Sequence, residues 1–117
     1  MRVAGFGFRS ATPVASLREA LDLAGGNVVL LATAEAKVQG LAGLALALGL
    51  PVQGVAPADM ARQNRDGSAR VRALYGTGSV AEAAALAAAG PGARLVQARV
   101  MSRDRKAVVA IAEGPGS

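Results

Sequence analysis

The stretch NVVLLATAEAKVQGLAGLALALGLPVQGV, Asn27 to Val55, decides the fold class. Its first part, NVVLLAT, is a short apolar run rich in β-branched residues and bounded by Asn27 and Thr33, which predicts a buried strand. The next part, AEAKVQGLAGLALALG from Ala34 to Gly49, repeats Val38, Leu41, Ala45 and Leu48 at helical spacing and predicts one helix. Gly49-Leu50-Pro51 then stops that helix, and PVQGV predicts a second short strand. Strand, helix and strand at this spacing are the unit of a parallel sheet.

No charged residue occurs from Val38 to Ala58. The apolar part is nonetheless stopped well short of the ~20 residues that cross a bilayer. We therefore expect a soluble helix buried on more than one side, and no membrane partner.

Outward from this unit the same pattern continues. RVAGFGF at the amino end predicts a strand running into glycine, followed by a first helix with Thr12 as N-cap and Pro13 at its first position. Ser16 and Glu19 offer a competing capping box one turn later, and Gly25-Gly26 ends the helix. Beyond Pro57, APADMARQ predicts one or two helical turns, SARVRALYG a short helix and VAEAAALAAA a longer one. ARLVQARVM and AVVAIAE, joined by the polar link SRDRK, predict a C-terminal antiparallel hairpin.

The expectation is one α/β domain over residues 1–113. It has three layers, a mixed and mostly parallel sheet of about five strands with helices on both faces, and a frayed tail at 114–117.

Composition narrows the chemistry. With 117 residues, 52% of them hydrophobic, the chain can build a core without metal or disulfide support. It has no Cys and no His, which removes zinc-finger and iron–sulfur ligand sets, thiol nucleophiles, imidazole bases and the Ser-His-Asp arrangement. We expect no metal site, no cofactor and, without a disulfide framework or an apolar leader, a cytoplasmic location. The net charge is +5, and of thirteen basic residues only Lys37 and Lys106 are lysine. An excess of arginine suits two-pronged contacts with carboxylate or phosphate, although solvated surface positions would have the same composition. Aromatics at 3% and the absence of a dense basic block argue against nucleic acid as a partner.

Four places could receive an anion. Gly76-x-Gly78-Ser79 precedes a helix start and offers backbone N–H groups, with Glu82 in the first turn either closing a capping box on Ser79 or serving a ligand. Gly5-x-Gly7, followed by Arg9 and Ser10, ends the first strand where open parallel sheets bind ligands. It lacks the third glycine and the distal acid of a dinucleotide site, and close packing of strand and helix would use the same glycines. Lys37, in the first turn of the second helix, should project from the same sheet edge as Arg9. Arg99 sits in an alternating strand opposite Val96 and Val100.

These segments together resemble the cobalamin-biosynthesis family formed by CobE and the C-terminal domain of CbiG. The likeness is carried in order by GFGFRSAT, LATAEAK, LALALGLPV, GTGSVAEAAAL and ARLVQARVMSRDRKAVVAIA. It implies work in making the corrin ring: binding a polycarboxylate tetrapyrrole intermediate, as carrier or accessory factor in the oxygen-dependent route. Arg9, Ser10, Lys37, Arg99 and the glycine turns would be its ligand contacts.

The two-domain members imply a rival reading, opening of a precorrin lactone with release of acetaldehyde, assisted here by Glu82 or Lys37. A third reading is an interaction module for other cobalamin biosynthetic enzymes. Two departures, Gln39-Gly40 where two-domain members carry an acid after the lysine and Arg99 where many carry Lys, imply no turnover by this chain alone. Without histidine, contact with a corrin would run through its carboxylates rather than its cobalt.

Overall fold

Alternation along the first strand sets the two faces of the molecule. In β1 (Arg2–Phe8) the side chains of Ala4, Phe6 and Phe8 enter one apolar cluster, while Val3 belongs to a second cluster on the opposite face. The computed structural model describes residues 1–66 and 80–114, and for 63–66 the backbone alone. Around β1 stand β2 (Leu30–Ala34), β3 (Val52–Val55), β4 (Arg94–Met101) and β5 (Ala107–Glu113), in the sheet order β3-β2-β1-β5-β4. The β3/β2 and β2/β1 ladders are parallel, and the β1/β5 and β5/β4 ladders antiparallel. Four strands thus point one way and β5 runs against them, as the expected mixed sheet requires. The β1/β5 ladder is long, from Arg2 opposite Glu113 to Phe8 opposite Ala107.

Helices cover both faces. The first cluster joins Phe6, Leu31, Val109 and Ile111 of the sheet to Leu17, Ala20 and Leu21 of α1 (Val14–Leu23) and to Leu41 and Leu44. On the other face α4 (Val80–Ala89) lays Ala84, Ala85 and Ala89 against Val3, Ala32, Val55 and Ala112. An almost pure alanine helix buries little area per residue, so it must come close to the sheet to exclude water. α3 (Pro57–Asp66), longer than the one or two turns expected, packs beside α4.

Three local expectations are corrected. The segment predicted as one helix over Ala34–Gly49 is a 3₁₀ helix from Glu35 to Leu41 followed by α2 (Ala42–Leu48). Gly40 sits at the break, where a Cβ would stand 2.3 Å from Cε2 of Phe8. Contact with that ring outweighs the weak helix preference of glycine. Nor is α2 buried on more than one side: Leu44 is buried, but Leu46 is 86% exposed.

The third correction concerns α1, which starts at Val14 with Pro13 in the capping position and no side-chain cap. The Thr12 hydroxyl donates instead to the carbonyl oxygens of Arg9 (2.6 Å) and Lys106 (3.3 Å). The short helix expected over SARVRALYG, with Gly76, Gly78 and Ser79, lies outside the described residues, as do the last three residues of the expected tail.

Candidate cleft at the carboxyl end of β1

After Phe8 the chain turns through Arg9, Ser10 and Ala11, the last in the left-handed region at φ 63°. The turn closes with the Thr12 N–H donating to the Arg9 carbonyl at 3.2 Å. Across from it, the 3₁₀ helix that follows β2 carries Lys37. Its ammonium donates to Ser10 Oγ at 3.5 Å and lies 5.7 Å from the centre of the Phe8 ring, within cation–π range. The expectation that Lys37 and the Arg9–Ser10 turn share one sheet edge is met. Between them opens a cleft of about 270 Å³, lined by Phe8, Ser10, Thr12, Lys37, Gln39 and Gly40 among others.

Among the described residues no carboxylate is paired with the charge in the cleft. The ion pairs among these residues join Arg2 and Arg94 to Glu113, far along the β1/β5 ladder, and no carboxylate reaches Lys37 or Arg9. The two arginines hold the Glu113 carboxyl below its ordinary range, Arg2 chiefly by its hydrogen bond.

Gly5 and Gly7, expected to help cradle a ligand, face α4 instead of the cleft. A Cβ on Gly5 would lie 2.0 Å from the Ala81 carbonyl oxygen and 2.6 Å from the Ala85 nitrogen, so the bare backbone of β1 is the seat of α4. At Gly7 the same construction meets Val80 Cβ at 3.6 Å, an ordinary contact.

Glu82 enters the interior with α4 and is 1% exposed. Its Oε2 accepts the Arg99 N–H at 3.4 Å. The local reason lies in β4, whose pairing with β5 steps out of register between Leu95 and Gln97 and again between Gln97 and Val100. A bulge turns a backbone N–H out of the ladder, and the carboxylate meets it there. Glu82 and Arg99, singled out separately in the sequence, are therefore neighbours. Lys37 and Glu82 are not, because Phe8 and α4 belong to opposite faces of the sheet.

Residues 2–112 match the protein family described as Cobalamin synthesis G C-terminus. The chain belongs to this family. Its fold is shared with cobalamin biosynthesis protein chiG from Agrobacterium tumefaciens, at 38% identity and a TM-score of 0.77 over 98% of this chain and 99% of that one. CobE, a protein from the cobalamin (vitamin B12) biosynthetic pathway, is 33% identical, with a TM-score of 0.72 over 96% of this chain and 89% of that one. A cobalamin biosynthesis protein G homologue from Sulfolobus solfataricus shares the fold at 16% identity and a TM-score of 0.69, and this chain spans 37% of its length. No curated protein sequence matches the chain.

This CbiG C-terminal-family domain has no helix, among its described residues, long and apolar enough to cross a membrane. Among the same residues no group of three or more Cys, His, Asp or Glu side chains is placed to hold a metal. A larger hollow of about 420 Å³, lined by Asp59, Arg62 and Gly90–Ala93 among others, lies at the far end of α4 from Glu82.

One polar cluster in the domain escaped the sequence reading. Ser16 and Glu19 do not cap α1; they tie it to the link between β4 and β5. The Ser16 hydroxyl donates to Asp104 Oδ2, and Glu19 Oε1 accepts the Arg103 N–H at 2.7 Å. Asp104 Oδ1 also accepts from the Ser102 hydroxyl at 2.6 Å and the Lys106 N–H at 3.0 Å. The available signal was the Ser-x-x-Glu spacing, which puts both side chains one turn apart on the same side of a helix.

Hydrogen bonds to the ionised carboxylate, those from Ser102 and Ser16 foremost, lower the Asp104 pKa from 3.8 to about 2. A carboxyl with a depressed native pKa stabilises the fold above its unfolded pKa and loses that effect as pH falls through the native one. The Lys106 amide is therefore expected to keep its protection from hydrogen exchange down to about pH 4, by the ordinary aspartate value, and to lose it toward the native pKa of about 2. Asp104→Asn should remove this acid transition, and an unchanged profile in that variant would refute the assignment.

Proposed function

We propose that this CbiG C-terminal-family chain binds a polycarboxylate tetrapyrrole intermediate of corrin synthesis, as a carrier or accessory factor in the oxygen-dependent route. The observation that carries the reading is the cleft at the end of β1, where Lys37 stands without a carboxylate partner among the described residues. Family membership supplies the class of molecule, and the cationic excess supplies the attraction. The reading places this work in the cytoplasm, in keeping with a chain free of cysteine.

The lactone-hydrolase reading, assisted by Glu82 or Lys37, would have to use one of them alone, since the two are set on opposite faces of the sheet. The interaction-module reading has no contiguous apolar patch behind it among the described residues, since Leu46, 86% exposed, stands singly on α2.

The test is titration of the purified protein with a series of corrin intermediates at low salt and at about 0.5 M salt, where the screening length falls to a few ångströms. Affinity is expected to drop markedly, and salt-independent binding would defeat the electrostatic reading. The same mixtures are assayed for acetaldehyde. Production above a protein-free control would install the hydrolase reading in place of the carrier.

A further inference from the structure

We infer that the cleft beneath Lys37 is a receptor for one short aliphatic carboxylate, such as a single side arm of the intermediate, and that the macrocycle itself stays outside it. The inference rests on the polycarboxylate reading and narrows it to a subsite.

Size is the first argument. At about 270 Å³ the cleft is below the ~300–1,000 Å³ of pockets that enclose a drug-sized ligand. It has room for a carboxylate and its methylene stem, and is too small to enclose a tetrapyrrole macrocycle.

Donor geometry is the second. The Lys37 ammonium has three N–H groups and spends one, at the long distance of 3.5 Å, on Ser10 Oγ. The Ser10 hydroxyl proton remains to be donated. One charged and one neutral donor therefore converge on a point where the two oxygens of a single carboxylate can accept both. A phosphate would leave most of its acceptors unmet by these two groups.

The walls are the third. The Phe8 ring lines the cleft and is packed against Gly40, where even a Cβ would collide with it. This fixes an apolar surface for the methylene stem. The same ring holds the ammonium in place through its π face, so little side-chain freedom is lost when a carboxylate arrives. Ser10 is exposed and Lys37 half-buried, which leaves the entrance open to an arm of a ligand too large to enter.

The experiment uses propionate as probe and propionamide as its neutral counterpart, titrated into the full ¹⁵N-labelled chain at constant ionic strength made up with sodium chloride. Propionate is expected to give saturable shifts at the Phe8, Ser10 and Lys37 amides, and propionamide none. Lys37→Gln should weaken propionate about tenfold or more, as expected for loss of a hydrogen bond to a charged group. Ser10→Ala should weaken it severalfold, and Lys37→Arg should recover part of the affinity.

Equal shifts from propionamide, or unchanged propionate affinity in Lys37→Gln, would overturn the inference whatever the melting temperatures of the variants. The two readings fail separately. Corrin intermediates bound equally well by wild type and Lys37→Gln would sink the subsite and leave the polycarboxylate reading standing. Propionate bound as described, with no corrin intermediate bound, would do the reverse.

Discussion

Gly5→Ala is expected to destabilise the domain by about 3 kcal/mol, the upper part of the range for overpacking a filled interior. The added methyl would sit 2.0 Å from the Ala81 carbonyl oxygen and 2.6 Å from the Ala85 nitrogen, both backbone atoms of α4. Neither can swing aside as a side-chain tip would, so the whole helix must lift. Lifting it opens the cluster of Val3, Ala32, Val55, Ala84, Ala85 and Ala112, whose small side chains cannot fill the gap.

Gly7→Ala is the control. It lies on the same face two residues later, meets its nearest atom at 3.6 Å, and should be neutral or stabilising by up to ~1 kcal/mol because alanine loses less backbone entropy in a strand. Urea unfolding of both variants decides the matter. If Gly5→Ala proves as tolerated as Gly7→Ala, the close seat of α4 on β1 is wrong.

The second large effect is expected at Glu82. Glu82→Ala removes a side chain that is 1% exposed and takes away the acceptor of the Arg99 N–H, leaving a void and a half-buried donor to find another partner. A cost of roughly 1–3 kcal/mol follows. Glu82→Gln keeps both the volume and a carbonyl acceptor, and should cost about 1 kcal/mol or less. Both variants should bind propionate like wild type, because Glu82 and Lys37 work on opposite faces. A Glu82→Gln protein that melts normally yet no longer responds to a corrin intermediate would show that this carboxylate serves the ligand.

The two Ser-x-x-Glu spacings, Ser16 to Glu19 and Ser79 to Glu82, show what a one-dimensional pattern can and cannot carry. At Ser16 the spacing did not mark the helix start, which is Val14 with Pro13 in the capping position, and Ser79 lies outside the described residues. Nor did the spacing say where the carboxylates would go. Glu19 reaches the Arg103 N–H and Glu82 the Arg99 N–H, each crossing from a helix to β4 or the link that follows it. Long-range partners of this kind leave no mark on local periodicity.

The same holds for the glycines. Gly5-x-Gly7 was legible as a strand end that needs bare backbone, but whether a ligand or a helix fills the space depends on which face α4 covers. The strand–helix–strand unit of Asn27–Val55 and the C-terminal hairpin were readable because each depends on neighbours in sequence. The 3₁₀ start of the second helix was not, because Phe8, which forces Gly40 close, lies some thirty residues earlier. Lys37 and the Arg9–Ser10 turn came together as expected, since the carboxyl ends of adjacent parallel strands must lie side by side. The Asp104 cluster stayed hidden in a link that reads as a simple polar turn.

The pairing of β1 with β5 also sets a timetable for folding. Arg2 and Glu113, joined by an ion pair, are 111 positions apart, so β1 waits for a strand made much later in the chain. β1, β2 and β3 can align as soon as Val55 has emerged, but the other edge of β1 then stands open. At ~5–20 residues per second, the stretch from Val55 to Glu113 leaves that edge unmatched for roughly 3–12 s in every round of translation. An open central strand with bare backbone at Gly5 is a ready template for a neighbouring nascent chain. Escape from aggregation in the cell should therefore depend more on how quickly β5 arrives than on the stability of the finished sheet.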